Sequence, residues 1–313
     1  MDPLLAFGFW AFVLTFAGIY AIFVLGLQVE VGDTGLINFG HVAFMAIGAY
    51  ATGLMLTNGW SVWLAMPLAV LAAAAGGLLL GIPTLRLRAD YFAITTIAAG
   101  EILRIAIQNE QGTTGGTQGL RGASGPWRDF NRDAVDWLEG LGWDNVDRRT
   151  PLLVIVWAVA VLVGLLLVYL GRTPWRRNLR AVRENEEAAA AAGVNVFSYK
   201  LQSLALGSGI AGLAGVLYTF FSTTLFPNQF EPIFTFVGFA ILIIGGIGSY
   251  FGVVIGSVVV AFIVSGTRFL DFPIDADKVA ALRFVLIGLL IMGFMAFRPQ
   301  GVFGKKEELH LDA

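Results

Sequence analysis

Apolar runs of about 20 residues recur along the whole chain, and this repeat constrains the fold more than any other feature. They lie at roughly 4–27, 34–57, 62–84, 91–107, 151–170, 201–225, 233–247, 250–268 and 279–297. A helix of that length crosses a hydrocarbon layer of about 30 Å, whereas the strands of a membrane barrel are shorter and alternate in polarity. The sequence therefore predicts an all-α, polytopic transmembrane helical bundle of eight to ten spans, folded as a single domain over residues 1–313.

The second run has an irregular beginning. Residues 34–41 mix glycines with polar side chains, which predicts an unwound entry or a broken helix ahead of the apolar stretch. The runs at 91–107 and 233–247 are short for a span. The N-terminus has neither the basic segment nor the cleavage site of a signal peptide, so we expect the first run to remain in the mature protein.

Composition excludes several classes of protein. Residues are 57% hydrophobic and 13% charged, whereas soluble domains carry roughly a quarter charged residues. A formal net charge of −2 without a long basic run argues against nucleic-acid binding, and a chain with no cysteine has no disulfide or thiolate. Walker A, metal-ligand, nucleophile-elbow and haem motifs are all missing from the sequence. We therefore expect no enzyme, no bound metal and no ATPase site in this chain.

Lysine and arginine collect on one side of the predicted spans, as they do in the cytoplasmic loops of membrane proteins. The basic segments are 86–88, 171–200 and 298–313. We expect these three to be cytoplasmic, and the acid-leaning loops at 108–150 and 269–278 to lie outside. Counting back from the first basic segment places the N-terminus outside if the run at 34–57 crosses the membrane once.

The 108–150 loop carries tryptophans among its charges, at Trp127, Trp137 and Trp143. This composition suits a short amphipathic helix at the outer interface, and it also suits an ordinary solvated loop. Within the loop, Thr113–Gly119 is rich in glycine and threonine. Gly115 and Gly116 predict turn chemistry there, and the segment is either a gate near the outer mouth or a plain connection.

Residues 180–193 contain strong helix formers and end on Gly193, a residue suited to a C-terminal cap. We predict one surface helix over this stretch. Its alanines would form a smooth ridge able to seat in a groove on a partner protein. By composition alone, a solvated connector and a docking element are equally good interpretations.

Few ionisable groups lie inside the spans. Glu101 and Arg104 stand three apart on one helical face, which predicts an ion pair near the outer end of the fourth span. The pair could fix the helix position, or it could lie near the route of a zwitterionic substrate. Polar residues that could contact substrate, or could equally be satisfied structural groups, are Asn38, His41, Thr95 and Thr96.

Small residues recur at four-residue spacing, which lets helices approach closely in lipid. One row consists of Gly207, Ala211 and Gly215, and the other of Gly248, Gly252 and Gly256. We predict that both rows pack helices together, and such seams could also slide during transport.

Several sequence blocks occur in the order typical of one family. They are Gly35–Tyr50, Leu85–Arg104, Thr113–Gly119, Glu184–Gly193, Gly245–Ser249 and Arg298–Gly304. As a set they resemble the LivM type of branched-chain amino-acid permease, from the ABC importers. Asn38 departs from the family pattern, in which serine is more common. The resemblance implies that an ATP-binding subunit docks on an EAA-type coupling helix, through Arg183, Glu184, Glu186, Glu187, Ala188, Ala189 and Gly193.

The same resemblance implies a permease subunit that moves leucine, isoleucine and valine across the cytoplasmic membrane by alternating access. Its partners would be a second, LivH-like permease, two ATP-binding subunits that hold ATP and Mg, an extracytoplasmic solute-binding protein and membrane lipid. The open alternatives are a permease for urea or short amides in the same family, and a stand-alone secondary carrier or channel.

Overall fold

The computed structural model describes residues 7–140 and 147–269 and a few positions between 282 and 302; for 266–269 it describes the backbone alone. Apart from those few positions, the predicted last span at 279–297 and the predicted tail at 298–313 lie outside the described residues. So do most of the loop at 269–278 and Trp143.

The described chain is almost entirely helical, which confirms the predicted helical bundle. The helices are α1 (Phe7–Leu27), α2 (His41–Thr57), α3 (Val62–Thr84), α4 (Ala89–Asn109), α5 (Gln111–Thr114), α6 (Gly125–Gly140), α7 (Thr150–Gly171), α8 (Pro174–Glu184), α9 (Glu186–Ala191), α10 (Val196–Phe221), α11 (Pro232–Gly245) and α12 (Tyr250–Phe269). A π-helix, Gln28–Asp33, continues α1, and two 3₁₀ turns lie at Gly116–Gln118 and Pro227–Phe230. The strands β1 (Leu120–Arg121) and β2 (Thr224–Leu225) pair antiparallel.

Within the described residues, five helical segments are long and apolar enough to cross a membrane. They are Phe7–Asp33, Val62–Thr84, Thr150–Gly171, Val196–Phe221 and Pro227–Gly245. Two shorter apolar helices, His41–Thr57 and Tyr250–Ser265, accompany them. The helix α4, predicted as the fourth span, is 21 residues long but carries Asp90, Glu101 and Arg104 and falls outside that set.

The two ends of the bundle collect different segments. At one end, called the coupling end, Arg176 contacts both Asp33 and Tyr250, and a groove joins residues 35–37 and 85–89 to α9. At the other, called the loop end, Arg149 contacts Gly8, and Ser61 shares a cavity with Trp127. The predicted basic segments 86–88 and 171–200 thus meet at one end, and the start of α1 lies at the opposite one.

The helix α10 is the central element, packed against α1, α2 and α3. Glycines let it approach its neighbours at backbone distance: Gly212 lies against Gly48, and a Cβ on Gly215 would overlap the carbonyl oxygen of Met45. The predicted row of Gly207, Ala211 and Gly215 is therefore a packing seam, as expected in lipid.

The second predicted row is wrong at its first member. Gly248 has a φ of 94° and lies in the turn between α11 and α12 rather than on a helix face. The helices α11 and α12 pack instead through Gly245 against Gly252 and Gly256.

The predicted single helix over 180–193 is also wrong, because it breaks at Asn185. Asn185 adopts an extended conformation and its side chain accepts a hydrogen bond from the Ala188 N–H. An asparagine that caps a new helix ends the preceding one, and this local competition outweighs the helix propensity around it. The predicted cap at Gly193 is confirmed: its φ is 85°, and Val194 N donates to Ala189 O.

The glycine-rich segment Thr113–Gly119 packs closely against neighbouring backbone. Gly115 and Gly116 have φ values of 75° and 53°, and any Cβ on Gly119 would lie 2.7 Å from Leu225 O beside the β1–β2 pair. Of the two interpretations left open for the 108–150 loop, the structure has the amphipathic helix: it is α6, with Trp127 buried and Trp137 exposed.

We expect Gly215→Ala to lower the free energy of unfolding by about 1–3 kcal/mol, because the new methyl group overlaps the backbone of α2. The matched control is Gly209→Ala on the same helix, where the nearest atom to the new Cβ is 3.5 Å away and only the gain in helix propensity remains. Thermal unfolding of the detergent-solubilised protein measures both. Equal stability of the two variants would contradict the packing seam.

Candidate functional site

A fully buried carboxylate lies where the first span ends. Glu30, on the π-helix, is completely inaccessible to solvent. Asn38 Nδ2 donates to Glu30 Oε2 at 2.8 Å, and His41 Nδ1 lies 3.2 Å from the same oxygen. His41 Nε2 faces the Phe23 carbonyl oxygen at 3.2 Å. Among the described residues, His41 Nδ1 and Glu30 Oε1 have no hydrogen-bond partner, so Asn38 supplies the hydrogen bond to this carboxylate.

Residues 34–40 form no helix, which confirms the predicted irregular start of the second run. This segment is held in place by contacts with several helices. Thr34 donates to Ser203 Oγ on α10 at 2.6 Å. Phe39 N donates to Thr96 Oγ1 on α4 at 3.2 Å. A Cβ at position 207 would overlap Glu30. Because Gly207 has no Cβ, α10 packs directly against the carboxylate. The segment is a packed joint between three helices.

A second charged cluster ties the same segment to the coupling end. Arg176 Nε on α8 donates to Asp33 Oδ1 at 2.8 Å, and the Tyr250 hydroxyl donates to Asp33 Oδ2 at 2.6 Å. The Arg176 guanidinium also lies 4.7 Å from the centroid of the Tyr250 ring. Arg183 Nη1 donates to the Gly32 carbonyl oxygen at 2.5 Å. The helix α8 is thereby fixed to the π-helix at two points, and through Tyr250 to α12.

The candidate coupling residues divide into anchors and an exposed face. Arg183 holds Gly32, Glu186 forms an ion pair with Lys200, and Ala189 is buried. The exposed residues of this part of the loop are Glu184, Asn185, Glu186, Glu187, Ala188, Ala190, Ala191, Ala192 and Gly193. The structure thus presents a small, mostly uncharged ridge whose underside is anchored to the bundle.

The candidate pathway residues fall into two places. Asn38, His41 and Thr96 lie at the joint described above, and all three are fully buried. Thr95 donates to the Tyr91 carbonyl oxygen of its own helix at 2.7 Å.

Glu101 and Arg104 lie further along α4, towards the loop end, where the predicted ion pair is present with an N–O distance of 2.5 Å. Arg104 also donates to Gln108 Oε1 at 3.1 Å and Asn228 Oδ1 at 3.0 Å. The pair therefore connects α4 to the Pro227–Phe230 turn.

Sequence reasoning missed Glu30, Asp33 and Tyr250, and it treated Arg176 only as a marker of orientation. One signal was available: two carboxylates three residues apart directly follow an apolar run, with no lysine or arginine between 21 and 40. Acidic residues at the end of a span need a hydrogen-bonding or positively charged partner, and here that partner has to come from a distant part of the chain. Among the residues that the structure describes, no group of three or more acidic or histidine side chains could hold a metal ion.

Comparisons with known proteins agree with one another. A family model described as the permease component of the branched-chain amino acid transport system matches residues 9–295. The chain is 34% identical over 301 residues to the high-affinity branched-chain amino acid transport system permease protein LivM of Escherichia coli (strain K12), covering 93% of this chain and 69% of that protein.

Two further relatives match nearly end to end. The probable branched-chain amino acid transport permease protein LivM of Methanocaldococcus jannaschii is 25% identical, covering 94% of this chain and 93% of its own. The permease protein LivH of Escherichia coli (strain K12) is 24% identical over 94% of each chain. No solved structure gives a significant match.

We expect Asn38→Ala to lower the free energy of unfolding by about 1.5–3 kcal/mol, because it removes a buried hydrogen bond to a charged carboxylate. Asn58→Ala is the matched control: Asn58 is exposed at the end of α2 and bonds only to the Leu54 carbonyl oxygen. Chemical or thermal unfolding in detergent compares the two. If the Asn38 variant is no less stable than the Asn58 variant, the buried cluster does not hold the joint.

Proposed function

The chain belongs to the family of branched-chain amino acid transport permeases, and from that premise we propose that it is the membrane subunit of an ATP-driven importer for leucine, isoleucine and valine. The single observation that carries the proposal is the anchored ridge of α9. This ridge is exposed on one side, is anchored to α10 through Glu186, and follows directly on α8, which is fixed to the end of the first span. It is therefore suited to passing a push from a separate motor into the bundle.

The motor would be a pair of ATP-binding subunits that bring ATP and Mg. Beside α9, a groove of about 420 Å³ lies at the coupling end, lined by segments 35–37 and 85–89 together with Glu186, Glu187 and Lys200. Exposed Ile37 and Leu87 add apolar surface there. A mixed surface of this kind fits a protein partner, and we assign it to the ATP-binding subunit.

Force would travel along the contacts at the coupling end. Movement of α8 pulls on Asp33 through Arg176 and on the Gly32 carbonyl through Arg183. The π-helix carries both these contacts and Glu30, and its irregular continuation at 34–40 contacts α4 and α10. A shift of this joint would change how α2 and α4 line the substrate route. The glycine seams of α10 and α11 would accommodate the movement.

We assign the route to the exposed side of α4. Only Phe92, Ala93, Thr96 and Gly100 are buried on this helix, and its Glu101 is part-exposed. Charge and hydroxyl groups at that depth favour a water-filled pathway or a protein neighbour over lipid. A second, LivH-like permease would cover this side, with Thr95, Glu101 and Arg104 near the route and the Thr113–Gly119 segment as a gate.

The remaining parts of the proposal follow from the two ends of the bundle. The coupling end faces the cytoplasm because it collects the basic segments, and the loop end receives an extracytoplasmic solute-binding protein. The chain is then a multi-pass protein of the cytoplasmic membrane. ATP hydrolysis belongs to the partners, and this chain is a transport subunit without its own catalytic site.

Uptake by the reconstituted complex tests the function. We expect liposomes that contain both permeases and both ATP-binding subunits, supplied with loaded binding protein, to accumulate radiolabelled leucine only when ATP is hydrolysed. Accumulation of urea or acetamide without leucine would assign the chain to the amide permeases. Uptake by the isolated chain along a gradient would make it a secondary carrier or channel.

Ala190→Trp tests the docking ridge. We expect the bulky ring to stop the ATP-binding subunits from co-purifying and to reduce ATP-dependent uptake by about tenfold or more, a change equivalent to about 1.4 kcal/mol of lost interaction. The matched control is Ala158→Trp, an exposed position on α7 far along the sequence from the ridge. Thermal unfolding of the free permease should be alike in both variants. Normal co-purification of the Ala190 variant would contradict docking on α9.

A further inference from the structure

Two neighbouring cavities lie at the loop end, under and beside α6. One of about 340 Å³ is lined by α1, α6, the start of α7 and the end of α10. The other, of about 240 Å³, lies between α3, α6, α7 and α10. Trp127 and Phe220 line both cavities and stack on each other, with ring centroids 4.9 Å apart. The two chambers therefore adjoin along this aromatic pair, called the aromatic wall.

The first chamber concentrates positive charge. Arg128, Arg148 and Arg149 line it, and its lining contains no carboxylate. Ser222 and Thr223 add hydroxyl groups from the end of α10. Guanidinium groups bind phosphate oxygens well because their N–H groups match the geometry of the anion.

The second chamber is apolar. Besides the aromatic wall, its lining includes Trp63, Met66, Phe130 and Ile155. Two of the helices that line it, α3 and α7, carry exposed apolar residues such as Leu64 and Leu162. This is the surface that faces lipid tails in a membrane-embedded bundle.

The first chamber continues outward into a larger space of about 630 Å³, which shares Arg128, Arg148 and Arg149 and adds Arg132, Asp136 and Glu139. Asn131 lines both parts, and its Oδ1 atom is buried without a hydrogen-bond partner among the described residues. A buried acceptor beside two carboxylates suits a donor that carries positive charge.

We propose that these chambers form a phospholipid site that holds phosphatidylethanolamine. Its phosphate binds at Arg128, Arg148 and Arg149, and its ammonium group lies by Asn131, Asp136 and Glu139. One acyl chain occupies the apolar chamber beyond the aromatic wall. The arrangement places an ammonium, a phosphate and a hydrocarbon chain in the order in which this lipid carries them. The site goes beyond the transport function and does not depend on it.

Native mass spectrometry of the delipidated protein tests the proposal. The probes are phosphatidylethanolamine, phosphatidylglycerol and phosphatidylcholine of the same acyl composition, each titrated separately. We expect phosphatidylethanolamine to bind most tightly, because phosphatidylglycerol lacks the ammonium and the methylated ammonium of phosphatidylcholine cannot donate to Asn131. Arg128→Gln and Arg148→Gln should each weaken its binding by about tenfold, the value of one charge-assisted hydrogen bond.

Arg121→Gln is the matched control, because Arg121 is an exposed arginine in the same loop that lines neither chamber. It should leave lipid binding unchanged, and thermal unfolding checks that all variants are folded. Equal binding of the three lipids, or equal binding by the Arg128, Arg148 and Arg121 variants, would overturn the proposal. Binding of inorganic phosphate or of glycerophosphoethanolamine as tight as that of the lipid would also overturn it, because neither supplies the acyl chain that the apolar chamber requires.

Discussion

The structure depends on how one carboxylate is kept inside an apolar bundle. An ionised group removed from water costs several kcal/mol unless its environment compensates it. Glu30 accepts a hydrogen bond from Asn38, which lies in the unwound segment, and has His41 3.2 Å away at the start of α2. The chain therefore has to turn back at 34–40 and start α2 deep in the bundle, and α10 has to offer a glycine at position 207. Much of the geometry around the first two spans follows from this requirement.

The same short segment is also where the coupling end joins the bundle. The π-helix is only six residues long, yet it carries Glu30 on its inner side and presents Gly32 and Asp33 to α8. The extra residue per turn of a π-helix turns neighbouring side chains in directions that a regular helix does not allow, and such segments are frequent at functional sites. In the mechanism proposed above, that geometry would connect the ridge on α9 to the helices α2 and α4.

Sequence reasoning predicted the elements whose signal is local. The span bounds at 62–84 agree with α3 because a continuous apolar run ends at polar residues, and the cap at Gly193 follows from the conformational freedom of glycine. The break at Asn185 was not predicted, since capping competes with a strong helix-forming neighbourhood. The π-helix and the partners of Asp33 were not predicted because Arg176 and Tyr250 are distant in sequence, and only packing brings them together.

If α8 transmits movement to the bundle through Arg176 and Arg183, then α8, α9 and residues 28–40 move as one body. Paired spin labels test this most directly. The chain contains no cysteine, so labels can be placed at will. One pair joins Ala190 to Ile37, and the other joins Ala190 to Leu64 near the loop end. Distances are measured by pulsed electron paramagnetic resonance in the assembled transporter, at rest and with ATP trapped. We expect the Ala190–Ile37 distance to stay constant and the Ala190–Leu64 distance to change by about 2 Å or more. A change in the Ala190–Ile37 distance as large as that of the other pair would contradict it.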